Sequence, residues 1–245
     1  LPRALSTRSH FAFWKAFFDD LGIAARLGTA DTRRSVELGA AHSGPDFCLP
    51  LKAAVGQTVD LLRGETGAPV FLPFMLTDEP SPGLSQSRFC PYVETLPSLV
   101  QAALGHNGFD LSRLVSPMID FRRPDEENAR SIASALTPVL KVGWKDVSRA
   151  LARGREARRR REEALAASGQ RALEGLRRKG EAAVVIIGHP YSALDEELNK
   201  GVPRTIAQAG LAVVPMEGLS FDPSRLRGEL QNLFWASGPR LLSAV

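Results

Sequence analysis

The chain reads as an α/β protein, with doubly wound Rossmann-like lobes of mostly parallel sheet joined by a helical segment. Three observations predict this. Short apolar runs of strand length alternate with helical periodicities along the 245 residues, the order that builds parallel sheets with crossover helices. One run, AAVVIIG at 182–188, is apolar without alternation, as strands buried on both faces are. A composition of 44% hydrophobic and 24% charged residues supplies a sizeable core under an ordinary polar surface.

The elements follow in order. Phe11, Trp14, Phe17, Phe18 and Leu21 recur at helical spacing, with Ser9 as N-cap and Gly22 as stop. IAARLG at 23–28 reads as a short strand, and Asp31 caps a helix over 32–39. Pro50 suits the first turn of a helix that runs to about Leu62 and stops at Gly64. APVFLP is a buried strand ended by Pro73. A long Pro- and Ser-rich loop, TDEPSPGLSQSRFCPY, leads through Cys90-Pro91 to a helix over LPSLVQAALG. RLVSPMIDF is a strand, and PDEENARSIASALTPVL is a helix with an acidic first turn. Trp144 to Lys179 forms one long helix or a helix pair. After the strand at 182–188 come a loop (HPYSALDEELNKG), a short helix with Pro203 near its start, and the strand LAVVPM. The last stretch, 223–245, reads as helical. The expected division is a first lobe over 1–143, a basic helical connector over 144–180, and an incomplete second lobe over 181–245.

Charge is unevenly placed. The net charge is +4, yet Lys145 to Lys179 holds 12 Lys and Arg against 5 Asp and Glu. The basic pI therefore belongs to one segment. That segment invites an anionic partner, nucleic acid or the phosphates of CoA. Its plainer reading is a solvated helix face, with Leu151, Leu165, Leu173 and Leu176 packing inward and Glu162 and Glu163 paired to arginines one turn away. No aromatic residue interleaves there to stack on bases, so nucleic acid is disfavoured. No run approaches the length of a membrane span, and no apolar signal core leads the chain. Two cysteines make no disulfide framework, which points to a reducing, cytoplasmic setting.

The cysteines are the first chemical candidates. Cys48-Leu-Pro50 and Cys90-Pro91 each stand at a helix start, where free N–H groups and the helix dipole favour a thiolate. Loops of an open parallel sheet converge on one edge, so sequence distance does not keep the two apart. Free cysteines are also commonly inert core residues. A Cys48–Cys90 disulfide, or zinc held with His42 or His106, are the remaining readings, and the spacing fits no common zinc pattern. The second candidate is IIGHPYSALDEELNKGVP. A Gly188-His189-Pro190 turn sets Tyr191, Asp195 and Asn199 at the carboxyl end of a strand, where α/β proteins bind ligands. The same polar groups also suit bracing the loop. No phosphate-cradling loop, dinucleotide fingerprint or nucleophile elbow occurs, so ATP hydrolysis is not expected of this chain.

LPRALSTRSHFAFWKAFFDDLG, FCLPLKAAVGQ, VFLPFM, FCPYVETLPSLV, IIGHPYSALDEELNKGVPRTIAQAGLAVVPM and FWASGPRLLSAV follow one another in this order. Together they resemble the domain of acyl-CoA dehydratase activase-related proteins, which is similar to 2-hydroxyacyl-CoA dehydratases, benzoyl-CoA reductases and double-cubane-cluster proteins. The resemblance spans nearly the whole chain. It implies an oxygen-sensitive iron–sulfur cluster of 4Fe-4S type between Rossmann-like lobes. An ATP-dependent activase would supply a low-potential electron, and the substrate would be an acyl-CoA. On this reading the protein is a subunit of a lyase or oxidoreductase, assembled as a homo- or hetero-oligomer away from membranes. Cys48 and Cys90 match the family's cysteines, Lys52 its nearby lysine, and His189, Tyr191, Asp195 and Asn199 its second-lobe loop, where substrate would bind. The chain departs from the pattern at His189 and Ser192, where Arg and Asn are usual, and at Gly56-Gln57, where Gly-His is usual. Relatives carry a further cysteine, and none follows Cys90 here. A fragment, a cluster completed by a partner, or a non-catalytic scaffold that has lost its cluster are the expectations that follow.

Overall fold

The computed structural model describes residues 1–64, 66–81, 83–84, 86–222, 226 and 233–243. It is a mixed α/β structure with short parallel strand pairs. The N-terminal aromatic helix forms as α1 (Leu5–Ser9) and α2 (Phe11–Asp20), with the break at His10 rather than a cap at Ser9. Gly22 ends it with φ +71°. Residues 23–28 are extended but pair with no strand of a sheet, contrary to the expected strand. The Gly28 N–H instead donates to the Leu1 carbonyl at 2.9 Å, so the segment lies along the chain's own first residues.

Helix α3 (Thr32–His42) is capped as expected, with Asp31 accepting from the Arg34 N–H at 2.9 Å. It crosses α4 (Leu49–Arg63) at very short range. Glycines permit this. A Cβ on Gly56 would stand 1.8 Å from the Ser35 carbonyl oxygen, and one on Gly39 the same distance from that of Lys52. Gln57 on the same face is 2% exposed and donates to Ser35 Oγ and the Thr29 carbonyl, at 2.8 and 2.9 Å. Gly56→Ala must therefore force two backbones apart. We expect a loss of about 1–3 kcal/mol, read as a lower urea midpoint with an unchanged slope.

Strands β1 (Val70–Phe71) and β2 (Phe74–Thr77) pair in parallel with β3 (Leu114–Val115) and β4 (Met118–Asp120). Pro73 and Pro117 divide what is otherwise one ribbon, since neither can donate to the ladder. Helices α5 (Pro91–Glu94) and α6 (Leu96–Gly105) make the crossover. Helix α7 (Asp125–Leu136) carries three acidic residues in its first turn, which complements the helix dipole. Helix α8 (Trp144–Lys179) is continuous over 36 residues and ends at Gly180 with φ +69°. Its first half packs on α2 and α7, with Gly154 against Phe13.

The third parallel pair is β5 (Ala183–Ile186) with β6 (Ala212–Pro215), connected through α9 (Pro190–Ala193) and α10 (Val202–Gln208). Gly169 of α8 seats on Gly218 of the 3₁₀ turn (Met216–Gly218) after β6. Strand β5 is not buried on both faces as its composition predicts. Ala183 is exposed, Val184 to Ile186 are half-buried, and Ile187 is 43% exposed. Among the described residues it has one neighbouring strand, and α8 and the 3₁₀ turn pack against this pair. Of the expected C-terminal helix, residues 223–225, 227–232 and 244–245 lie outside the described residues. Helix α11 (Gly238–Ser243) forms, but Trp235 is extended and bridges Arg88 beside β2.

The core lies between α2, α4, α8 and the first strand pairs. Trp14, Phe13 and Phe17 are at most 1% exposed. Trp14 and Phe71 meet edge-on at 4.9 Å, as do Phe13 and Phe121 at 5.5 Å.

Candidate functional site

Three helices are each opened by a proline in the first turn. Cys48 is the N-cap of α4, extended at ψ 153°, and its carbonyl accepts from the Lys52 N–H at 3.0 Å. Cys90 is the N-cap of α5 at ψ 141°, and its carbonyl accepts from Val93 and Glu94 at 2.8 and 3.0 Å. His189 is the N-cap of α9 at ψ 131°, accepting from Ser192 and Ala193 at 2.9 and 2.8 Å. For Cys90 and His189 the extended conformation follows from the proline immediately after, which disfavours helix before it and starts helix after it, whereas Pro50 stands second in α4, after Leu49.

One aromatic contact joins the first two of these starts. The Phe47 ring, next to Cys48, lies 5.7 Å from that of Tyr92, two residues beyond Cys90. Within the third, His189 and Tyr191 stack at 5.0 Å with planes 7° apart. Tyr191 packs against the main hydrophobic core, as do Phe47 and Cys90. Burial drives the Tyr191 phenol well above its ordinary pKa, and the Cys90 and Cys48 thiols, both close enough to act on it, push it further. The tyrosine stays protonated at neutral pH. Desolvation lowers the pKa of His189, which keeps that ring neutral at pH 7. Both cysteines are free, Cys48 exposed and Cys90 half-buried.

The segment before Cys90 is held from three sides. The Phe89 N–H donates to the Leu76 carbonyl at 3.2 Å. Arg88 bridges Thr77 and Trp235, and its guanidinium makes a two-point ion pair with Glu94. Asp78, where the loop leaves β2, lies between Arg158 of α8 and His10, with His10 Nε2 at 3.3 Å. Burial alone would raise the Asp78 pKa, but Arg158 and His10 outweigh it and hold the carboxyl far below the usual range. Arg155 pairs with Glu79 and Asp125. The basic helix thus turns two arginines inward to anchor the Cys90 loop, while Glu162 and Glu163 pair with Arg158 and Arg159 as the spacing predicts.

The other predicted residues are placed as follows. Lys52 donates to the Pro45 carbonyl at 2.8 Å and braces the approach to Cys48. Asp195 is 7% exposed and accepts from Arg8, from Thr32 Oγ1 at 2.6 Å, and from the N–H groups of Glu197 and Leu198. Burial raises its pKa, and Thr32 and Arg8 reverse this and bring it down. Asn199 bonds within its own loop, to the Ala193 carbonyl and the Gly201 N–H, both at 2.9 Å. It lines a 360 Å³ groove with Ile186, Ala193 and Val213. His42 packs edge-on against Phe109 at 5.3 Å and His106 is exposed beyond α6. Among the described residues no group of three His, Cys, Asp or Glu is arranged to hold a metal. The two thiols thus fit half the usual protein complement of an iron–sulfur cluster, about four ligands. Sequence reading missed Arg8 and Thr32, for which no local signal exists. Phe47 and Tyr92 were legible only as aromatics flanking the cysteines.

These features define an α/β protein with two free cysteines at helix N-caps and a tyrosine whose pKa both raise. No helix among the described residues is long and apolar enough to cross a membrane. The chain belongs to the family described as CoA enzyme activase uncharacterised domain (DUF2229), whose model matches residues 1–219. A search of curated proteins found no match, and a search of solved structures found none either.

Proposed function

We propose that this CoA enzyme activase-related domain contributes Cys48 and Cys90 as two ligands of an iron–sulfur cluster. The remaining ligands would come from outside the described residues. The observation that supports this reading is that both thiols stand at proline-opened helix starts and both act on the Tyr191 phenol. Helix N-termini favour thiolates, and burial, nearby charge and hydrogen bonds to sulfur set a cluster's potential. When bound, such a cluster would supply one-electron chemistry. This chain's residues would hold the two sulfurs as thiolates and keep a protonated phenol and a neutral imidazole beside them. The reading carries with it a doubly wound ancestry for both lobes. It also carries a low-potential electron from an ATP-dependent activase, an acyl-CoA substrate, and a homo- or hetero-oligomer that completes the ligand set.

The test is anaerobic reconstitution with iron and sulfide. Wild-type protein should turn brown and retain both elements, and Cys48→Ser or Cys90→Ser should each lose most of the colour. A colourless, iron-free wild-type protein sinks the proposal. A second reading, a binding module that keeps the fold without a cluster, is favoured by the missing third ligand among the described residues. It expects no iron, and a Cys48→Ser/Cys90→Ser protein that unfolds at the wild-type urea concentration.

A further inference from the structure

The turn that carries His189 and Tyr191 belongs to the third strand pair, β5–β6, whereas the cysteines stand at the starts of α4 and α5. Something must hold one over the other. Among the described residues, every hydrogen bond from the 188–201 loop to residues 1–143 runs through Asp195 or the adjacent Leu194 carbonyl. Arg8 reaches both, pairing with Asp195 Oδ2 and donating to the Leu194 carbonyl at 3.1 Å. Thr32, the first residue of α3, donates to the same Oδ2 at 2.6 Å. The other oxygen, Oδ1, takes the N–H groups of Glu197 and Leu198 at 3.1 and 3.2 Å, which orients the carboxylate from within its own loop. The Asp195 side chain is 8% exposed and that of Arg8 19%, so the pair is shielded and charge-assisted. The loop also packs on α1 and, through Tyr191, on the core, while Asn199 bonds inside the loop and Arg204 of α10 pairs back to its Glu196.

We propose that Asp195 is a positioning residue for the cysteine site. Its latch to Arg8 and Thr32 holds the His189–Tyr191 turn against the core on which Cys90 also packs, and so sets access to that thiol. Asp195 acts through Tyr191 and does not touch the sulfurs or a ligand. The inference rests on the same paired-thiol site as the proposed function, but it concerns the iron-free protein. A negative reconstitution result would leave it standing.

The experiment is the rate of alkylation of each cysteine by iodoacetamide in iron-free protein, resolved by peptide mass spectrometry at several low urea concentrations. Wild-type protein should label at Cys48 quickly and at Cys90 slowly. Asp195→Asn and Arg8→Met should speed Cys90 by on the order of tenfold, the scale of one charge-assisted hydrogen bond, with Cys48 changed less than about twofold. The accelerated rate should be nearly independent of urea, the mark of local opening. Arg8→Lys, which keeps the charge, should restore slow labelling. Thr32→Val gives a milder version should the charge variants fail to fold. Two results would overturn the proposal. One is an unchanged Cys90 rate in folded Asp195→Asn and Thr32→Val proteins. The other is acceleration of both cysteines together, with the urea dependence of global unfolding.

Discussion

Asp78→Ala is expected to lower the unfolding free energy by about 3 kcal/mol, the low end for breaking a buried ion pair. The low end applies because the Arg158 side chain keeps 24% exposure and that of Asp78 13%. The loss arises because the guanidinium, oriented toward Asp78 by two hydrogen bonds, keeps only the more exposed Glu162 as its anion. Arg158→Ala should cost a similar amount for the mirror reason, and the double variant less than the sum. Urea unfolding at pH 7 measures all three. The pH dependence has a definite sign. The Asp78 pKa is held below its ordinary value of 3.8 in the folded state. The folded protein therefore binds fewer protons than the unfolded chain as pH falls through that region. The contribution is fully present above about pH 5 and is lost progressively below about pH 4. Wild-type protein should lose stability steeply there, and Asp78→Ala should lose visibly less. Equal slopes in the two proteins would contradict the assignment. Because Asp78 begins the loop that ends at Cys90, Cys90 alkylation should also quicken in Asp78→Ala.

Trp14→Ala should cost about 3–5 kcal/mol, the usual range for emptying a large aromatic site. Trp14 has no exposed surface, and it meets Phe13, Phe17 and Phe71 edge-on at 4.8, 5.6 and 4.9 Å. These rings come from α2 and β1, so no single element can collapse into the space. Its indole N–H is buried without a partner, an arrangement that itself costs free energy. Trp14→Phe should therefore lose much less, because removal of the unpaired donor offsets part of the lost packing. Urea midpoints order the three proteins. Trp14→Phe falling as far as Trp14→Ala would show that the unpaired N–H carries no penalty.

Much of the fold was legible residue by residue. Asp31 caps α3, Pro50 opens α4, LPSLVQAALG is α6, and Trp144 to Lys179 is helical, because caps, prolines and 3.6-residue periodicity act locally. The failures share one cause. Among the described residues IAARLG has strand-like chemistry but finds no strand to pair with, and AAVVIIG is apolar throughout yet has one neighbour strand. In both, the outcome depends on what lies alongside, which a run of residues does not encode. The expected C-terminal helix fails at Trp235 for the same reason, since Arg88 offers it a backbone partner.

The cysteine site divides along the same line. That Cys48 and Cys90 cap helices follows from the prolines after them, and chain-local sterics are enough. That both thiols act on a tyrosine that follows β5 is a matter of tertiary contacts, such as Phe47–Tyr92 and Arg8–Asp195–Thr32, between segments far apart in the chain. Asp195 shows the difference most clearly. As a loop carboxylate before a helix it resembles a ligand-binding group. Only packing surrounds it with four donors from its own chain, because the free energy of a buried carboxylate is decided by whichever groups the fold brings within hydrogen-bonding distance.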